Sequence, residues 1–154
     1  MWNGIMWLYF MKRIAVLILT IFVVIIAVIF AGLKEQEIGK INVNKFNLEY
    51  EEYNKESLNG LKVATVINKA IDLNETNEIP RNEKGFYILD DEISVEIYIT
   101  MQVNETTYKM ETLYGLGLDK FIKSFGSAEF KCTSIEYHEK TGRVASMTFE
   151  TQGY

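Results

Sequence analysis

The chain has 154 residues, one cysteine and one histidine, and its formal net charge at pH 7 is −5. This length suffices for one domain of ordinary size. A single cysteine excludes an intramolecular disulfide framework, and a single histidine excludes a histidine-rich metal site. All 21 acidic residues lie after residue 33. Because that part of the chain is acidic, we expect no nucleic-acid partner.

A long apolar run near the amino end dominates the sequence. Residues 14–33 carry no charge, and Thr20 is their only polar side chain. As a helix rising 1.5 Å per residue, this run is about 30 Å long, the thickness of a bilayer's hydrocarbon core. It therefore predicts a transmembrane helix in contact with the lipid bilayer.

Residues 1–13 form a basic N-terminal segment that ends in Lys12 and Arg13. Met11 precedes this pair and is a possible start of translation; residues 1–10 are otherwise a short interfacial segment. The long apolar run favours a retained signal anchor over a cleaved signal peptide. The basic pair favours a single-pass protein of the cell membrane with its N-terminus in the cytoplasm and its C-terminal domain outside.

A charged stalk, residues 34–56, follows the apolar run. Its aromatic residues Phe46, Tyr50 and Tyr53 have helical spacing, and we expect them to pack on the domain's own core. The remaining residues, 57–154, are predicted to form an extracytoplasmic α+β domain.

An amphipathic helix is predicted over Leu61–Leu73, with Ser57 as its cap and a turn at Asn59-Gly60. One face is apolar and the other is polar, which indicates that the helix lies against a sheet. The apolar face holds Val63, Val66, Ile67, Ala70 and Ile71, and the polar face holds Lys62, Thr65, Lys69 and Asp72.

Past the loop at residues 74–85 the apolar period changes from 3.6 to two, which indicates strands. The pattern predicts two antiparallel β-hairpins packed against the amphipathic helix, with two helical turns between them. The predicted segments are a strand over residues 93–102, a returning strand Thr107–Tyr114, a helix Leu118–Phe125, and the strands Phe130–Glu139 and Val144–Thr151.

One segment has the spacing of calcium ligands. Asp72, Asn74, Thr76 and Glu83 stand at positions 1, 3, 5 and 12 of an EF-hand-like loop. Pro80 and the absence of a predicted helix after Glu83 argue against it. We therefore expect a polar connection and no metal, with calcium as the alternative.

The remaining reactive residues do not form a catalytic set. Cys132 is expected to be a small apolar residue of a strand, and His138 a solvated residue at a strand end. Residues 90–92, two aspartates and a glutamate, are expected to be a solvated acidic cluster. We predict that the protein is not an enzyme and has no cofactor.

The layout of a basic start, a long hydrophobic helix, a helical continuation and two hairpins resembles that of type IV pilins. The pilin glycine before the cleavage site and the glutamate at the fifth mature position have no counterpart in residues 12–18. The stretch from Phe46 to Asn74 is similar to small single-pass membrane proteins of Gram-positive bacteria. The excess of lysine over arginine is typical of an AT-rich genome and also indicates a bacterial source.

These observations predict a non-catalytic interaction or structural module, anchored in the membrane through residues 14–33, with a protein partner in or at the membrane. The alternative is a pilin-like filament or secretion-system subunit.

Overall fold

The computed structural model describes residues 3–54 and 57–152, and the chain divides into two compact units. Unit 1 is Met1–Asn42, and unit 2 is Val43–Tyr154. The described residues have the α+β fold that the sequence predicts: a long apolar helix, and a five-stranded sheet with further helices.

The first element is helix α1, Asn3–Glu51. Within Met6–Glu51 it contains a stretch that is long and apolar enough to cross a membrane, with a mean hydropathy of 3.4. None of that stretch is buried. Aliphatic and aromatic residues follow one another there on every side of the helix, so no face is polar.

Unit 2 contains the remaining elements. In chain order they are β1 (Leu58–Asn59), α2 (Gly60–Thr76), β2 (Glu96–Met101), β3 (Thr106–Lys109), α3 (Met110–Leu116), α4 (Leu118–Phe125), β4 (Glu129–Tyr137) and β5 (Val144–Thr151).

The sheet has the strand order β1-β4-β5-β2-β3. The two predicted hairpins are present as the antiparallel pairs β2–β3 and β4–β5. A parallel pairing of β2 with β5 joins them, and α3 and α4 lie in the connection between the hairpins. Two residues of β1 add a fifth strand beside β4.

Helix α2 covers one face of the sheet, as its apolar stripe predicts. All five residues of the stripe are fully buried. They pack in one core with the inward-facing residues of the strands, among them Ile97, Ile99, Met147 and Phe149. Burial of these side chains is the main stabilising contribution to the unit.

The start of α2 differs from the prediction. Asn59, and not Ser57, is the N-cap, and its side-chain oxygen accepts a hydrogen bond from the Lys62 amide at 3.0 Å. The first helical residue, Gly60, lies against the carbonyl of Phe125, where a Cβ atom would clash. The glycine therefore allows α2 to approach the end of α4 closely.

The returning strand Thr107–Tyr114 is also shorter than predicted. Strand β3 ends at Lys109, and the next seven residues form α3. Met110 and Leu113 are spaced three apart and are both buried, which a helix achieves and a strand does not.

The stalk aromatics pack on the core of unit 2, as predicted. Tyr50 is fully buried, and its ring centroid lies 5.1 Å from that of Phe46. Asn47 bonds the Gly142 carbonyl and the Val144 amide, at the beginning of β5. The last turns of α1 therefore belong to the domain.

Lys69, predicted on the polar face of α2, is not simply solvated. Its ammonium group lies 2.8 Å from a carboxylate oxygen of Glu49 and 5.0 Å from the centre of the Tyr50 ring. The lysine thus connects α2 to the end of α1.

Candidate functional site

The residues with calcium-like spacing do not converge. Helix α2 continues to Thr76, so Asn74 lies on a different face of the helix from Asp72 and Thr76. Asn74 is fully buried and bonds both backbone groups of Val95, at 2.7 and 2.8 Å. Asp72 is exposed and accepts a hydrogen bond from Asn68. The calcium alternative therefore does not fit this segment, and Asn74 instead attaches α2 to the residue before β2.

His138 is buried, so the prediction of a solvated strand-end histidine is wrong. Its Nε2 atom lies 2.7 Å from the Ser94 carbonyl oxygen, and its backbone amide donates to Arg143. The turn between β4 and β5 places the ring over the segment that enters β2. The contact joins residues 44 positions apart, and local sequence does not reveal it.

The acidic residues 90–92 divide into two kinds. Asp91 and Glu92 are exposed, as predicted, and lie near the ammonium group of Lys140. Asp90 is half-buried, and its Oδ1 accepts hydrogen bonds from the amides of residues 92, 93 and 94. Partial burial would raise the pKa of Asp90, but these amides outweigh it and hold the pKa at about 2.

Cys132 lies buried in β4, and its thiol contacts the Ser134 carbonyl at 3.4 Å. Burial raises the pKa of the thiol above its ordinary value. Since the thiolate is the reactive form, this environment is that of an inert apolar residue.

Three charged side chains meet where the sequence gives no signal for a site. Glu96 on β2 is fully buried, Glu111 on α3 is 7% exposed, and Lys109 ends β3. The Lys109 ammonium group lies 3.3 Å from Glu96 Oε2, and the side chains of Glu96 and Glu111 interact with each other. We call these three residues the carboxyl cluster.

The environment of the cluster shifts the pKa values of Glu96 and Lys109. Burial raises the pKa of Glu96 to about 7, and the charge of Glu111 adds to the increase, while Lys109 opposes it. Partial burial would lower the pKa of Lys109, but Glu96 raises it above the usual value. The rings of Phe86 and Tyr98 lie under the lysine, at 5.7 and 5.6 Å.

The cluster also holds the loop between α2 and β2. The Oε1 atom of Glu111 accepts a hydrogen bond from the Tyr87 amide at 2.8 Å. Tyr87 is in turn held by Arg81, whose guanidinium group donates to the Tyr87 hydroxyl at 2.6 Å and lies over its ring. The arrangement links α3 to this loop through one carboxylate.

An open apolar cavity of about 400 Å³ lies at the end of the sheet where β2 and β5 finish. This is the opposite end of β5 from the contact with Asn47. Two apolar side chains beside it, Val103 and Leu116, are 77% and 59% exposed. The cavity is lined by Met101, Val103, Asn104, Tyr108, Leu113, Leu116, Phe125 and Thr151.

No protein family, curated protein or solved structure matches this chain. Its own geometry offers two sites of different kinds. The cavity is open and apolar, as binding sites are, whereas Glu96 in the carboxyl cluster is closed to solvent.

Proposed function

We propose that the chain is a single-pass membrane protein whose unit 2 lies outside the cytoplasm and acts by binding a protein partner, without catalysis. The observation that carries the proposal is the unburied apolar stretch of α1. Such a continuous apolar surface is far larger than soluble proteins expose, and a bilayer is the environment that covers it.

Support for binding over catalysis comes from the residues that carry reactive groups. His138 contacts a backbone carbonyl, Asp90 caps a turn, and Cys132 is buried with a raised thiol pKa. Each group has a structural role that its chemistry explains. The apolar cavity, by contrast, has no such role within unit 2.

The cavity favours an extended segment of a partner protein. Tyr108, which lines it, belongs to β3, and β3 is an edge strand of the sheet. An edge strand offers backbone hydrogen bonds to an added strand, and a neighbouring pocket takes a side chain from it. We infer that an apolar side chain of the partner enters beside Val103 and Leu116.

Anchoring is tested by replacing Val24 and Ile25 together with arginine in the full chain. Each arginine opposes insertion by about 2.5–3.5 kcal/mol, so the variant should lose membrane retention in carbonate extraction. The matched control places two arginines on exposed positions of α2, Thr65 and Asn68, and should stay in the membrane. A wild-type chain extracted by carbonate would contradict the proposal.

The binding surface is tested by photo-crosslinking in native membranes. A crosslinking residue at Val103 or Leu116 should give one defined adduct, and the same residue at exposed Thr65 should not. A Val103→Asp substitution should weaken the adduct formed from position 116. Equal adducts from all three positions would contradict a specific surface.

A pilin-like filament subunit is the second candidate. The observation that favours it is the single helix α1, which continues into unit 2 and ends on the core of the sheet domain. A filament subunit would be sheared from cells as polymers and would be cut near Lys12-Arg13. An anchored module would stay full-length in the membrane fraction.

A further inference from the structure

The carboxyl cluster has one negative charge too many for its surroundings. Glu96 and Glu111 bring two carboxylates to a buried place, and Lys109 supplies one positive charge. An uncompensated charge in the interior is strongly unfavourable. Neutralising one of the two carboxyl groups therefore stabilises the folded unit 2.

The hydrogen bonds show which carboxylate oxygens a neutralising proton would serve. Glu96 Oε1 and Glu111 Oε2 are both buried, and each lacks a donor among the described residues. The other oxygens are used, Glu96 Oε2 by Lys109 and Glu111 Oε1 by the Tyr87 amide. Each carboxyl group therefore has one buried oxygen left over, and the two side chains interact, so a proton carried by one group can be donated to the other.

We propose that Glu96 and Glu111 form a buried proton-binding site, in which one shared proton fastens α3 and the Tyr87 loop to β2. Loss of the proton leaves two facing carboxylates that repel each other. Glu111 is the more exposed partner, so it moves away and loosens its hydrogen bond to the Tyr87 amide. The site therefore acts as a pH-dependent switch, in which the Tyr87 loop is held at low pH and loosened at higher pH.

The titratable and charged side chains around Glu96 and Glu111 come from the strands and the loop packed against them. Lys109 comes from β3 and Tyr98 from β2, while Arg81 and Tyr87 come from the loop. The β5 residue opposite Glu96 is Ser146, which does not titrate and bonds Glu136 instead. Lys109 is the only cation that bonds the pair in the part of the chain that the structure describes.

The direction of the pH effect follows from the raised pKa. Burial raises the pKa of Glu96 from its ordinary value of 4.5 to about 7, so the folded state holds the extra proton between these two pH values. The stability of unit 2 should therefore fall as pH rises through this window and stay level above it.

The test is the thermal midpoint of the full chain in detergent micelles between pH 5 and 8.5. The wild-type midpoint should fall by several degrees. Glu96→Gln and Glu111→Gln should each remove that fall and raise the midpoint at pH 8, because an amide donates permanently where the acid donates only when protonated. The control, exposed Glu129→Gln, should keep the wild-type slope.

Two measurements on the wild type keep the proposal testable if a variant fails to fold. Carbon NMR of the glutamate carboxyl groups should show one titration near pH 7 that is absent from either Gln variant. Hydrogen exchange at the Tyr87 amide should quicken over the same range, beyond the increase shown by exposed amides.

Three results would overturn the proposal. They are a flat wild-type midpoint with all glutamates titrating below pH 5, a slope that persists in both Gln variants, and a midpoint that rises with added sodium or calcium at constant ionic strength. The last result would assign the site to a metal cation instead of a proton.

Discussion

Unit 1 and unit 2 contain helices of similar amino-acid types in opposite environments. In α1, Ile18, Ile25 and Ile29 are between 50% and 58% exposed, whereas Ile67 and Ile71 of α2 are fully buried. The difference lies in the arrangement of the apolar residues. An apolar stripe packs on a sheet, and a helix that is apolar on all sides needs a solvent that is itself apolar.

The largest difference between the two units is expected when one isoleucine of each helix is replaced by aspartate. Ile67→Asp should destabilise unit 2 by several kcal/mol, enough to unfold it, because the carboxylate is buried without a partner. Ile25→Asp should leave the unfolding of unit 2 unchanged and weaken only membrane retention. Urea unfolding of the full chain in micelles, followed by near-ultraviolet circular dichroism, measures both.

Thr65→Asp is the matched control for this pair, since Thr65 is exposed on the polar side of α2. Its effect should stay under about 0.5 kcal/mol. A comparable loss from Thr65→Asp and Ile67→Asp would contradict the one-sided packing of α2.

Asn74 tests whether polar groups, as well as apolar ones, hold α2 in place. Asn74→Ala leaves the buried amide and carbonyl of Val95 unpaired, and it should cost about 2–4 kcal/mol of unfolding free energy. Asn68→Ala removes an exposed side-chain contact and should cost under about 0.5 kcal/mol. Denaturant unfolding of the two variants at one pH gives the difference. Equal losses would show that the bonds to Val95 contribute nothing specific.

Alanine substitutions at two helical glycines, one in each unit, test how closely each helix is packed at that position. Gly60→Ala should cost about 1–3 kcal/mol, because its Cβ meets the Phe125 backbone. Gly39→Ala has open space around it and should favour the helix by about 0.5–1 kcal/mol. Unfolding free energy measures the first change, and the helical content of a peptide spanning residues 34–51 measures the second. A neutral Gly60→Ala would show that α2 and α4 are not in close contact.

No loss of stability is expected at Tyr50, whose buried hydroxyl lacks a hydrogen-bond partner among the described residues. Tyr50→Phe keeps the ring packing and removes the unpaired polar atom, so stability should stay level or rise by about 1 kcal/mol. A clear loss in the urea midpoint would mean that the hydroxyl is bonded in solution.

Periodicity accounts for what could be predicted of the fold. The stripe of α2 and the alternation in β2 and β5 each repeat often enough to fix the type of element. The change from β3 to α3 could not be read, because Tyr108, Met110, Thr112 and Tyr114 alternate as a strand does while Met110 and Leu113 have helical spacing. Burial by the neighbouring elements decided between the two patterns.

The candidate sites were less predictable, because they depend on contacts between distant segments. Glu96 occupies a polar position of an alternating strand, yet it is fully buried beside Glu111 of α3. His138 is buried by the segment at Ser94, 44 residues earlier. Single-sequence patterns contain no information about such pairings.

The position of β5 in the sheet has a consequence for how the protein is made. β5 is the last strand in chain order, yet it lies between β4 and β2 and pairs with both. During synthesis β2 therefore cannot pair with β5 until residue 151 has been added. Pairing between such distant segments is slow, and the open edges are exposed meanwhile. Unit 2 should therefore fold only after its synthesis is finished, as one cooperative step that the arrival of β5 completes.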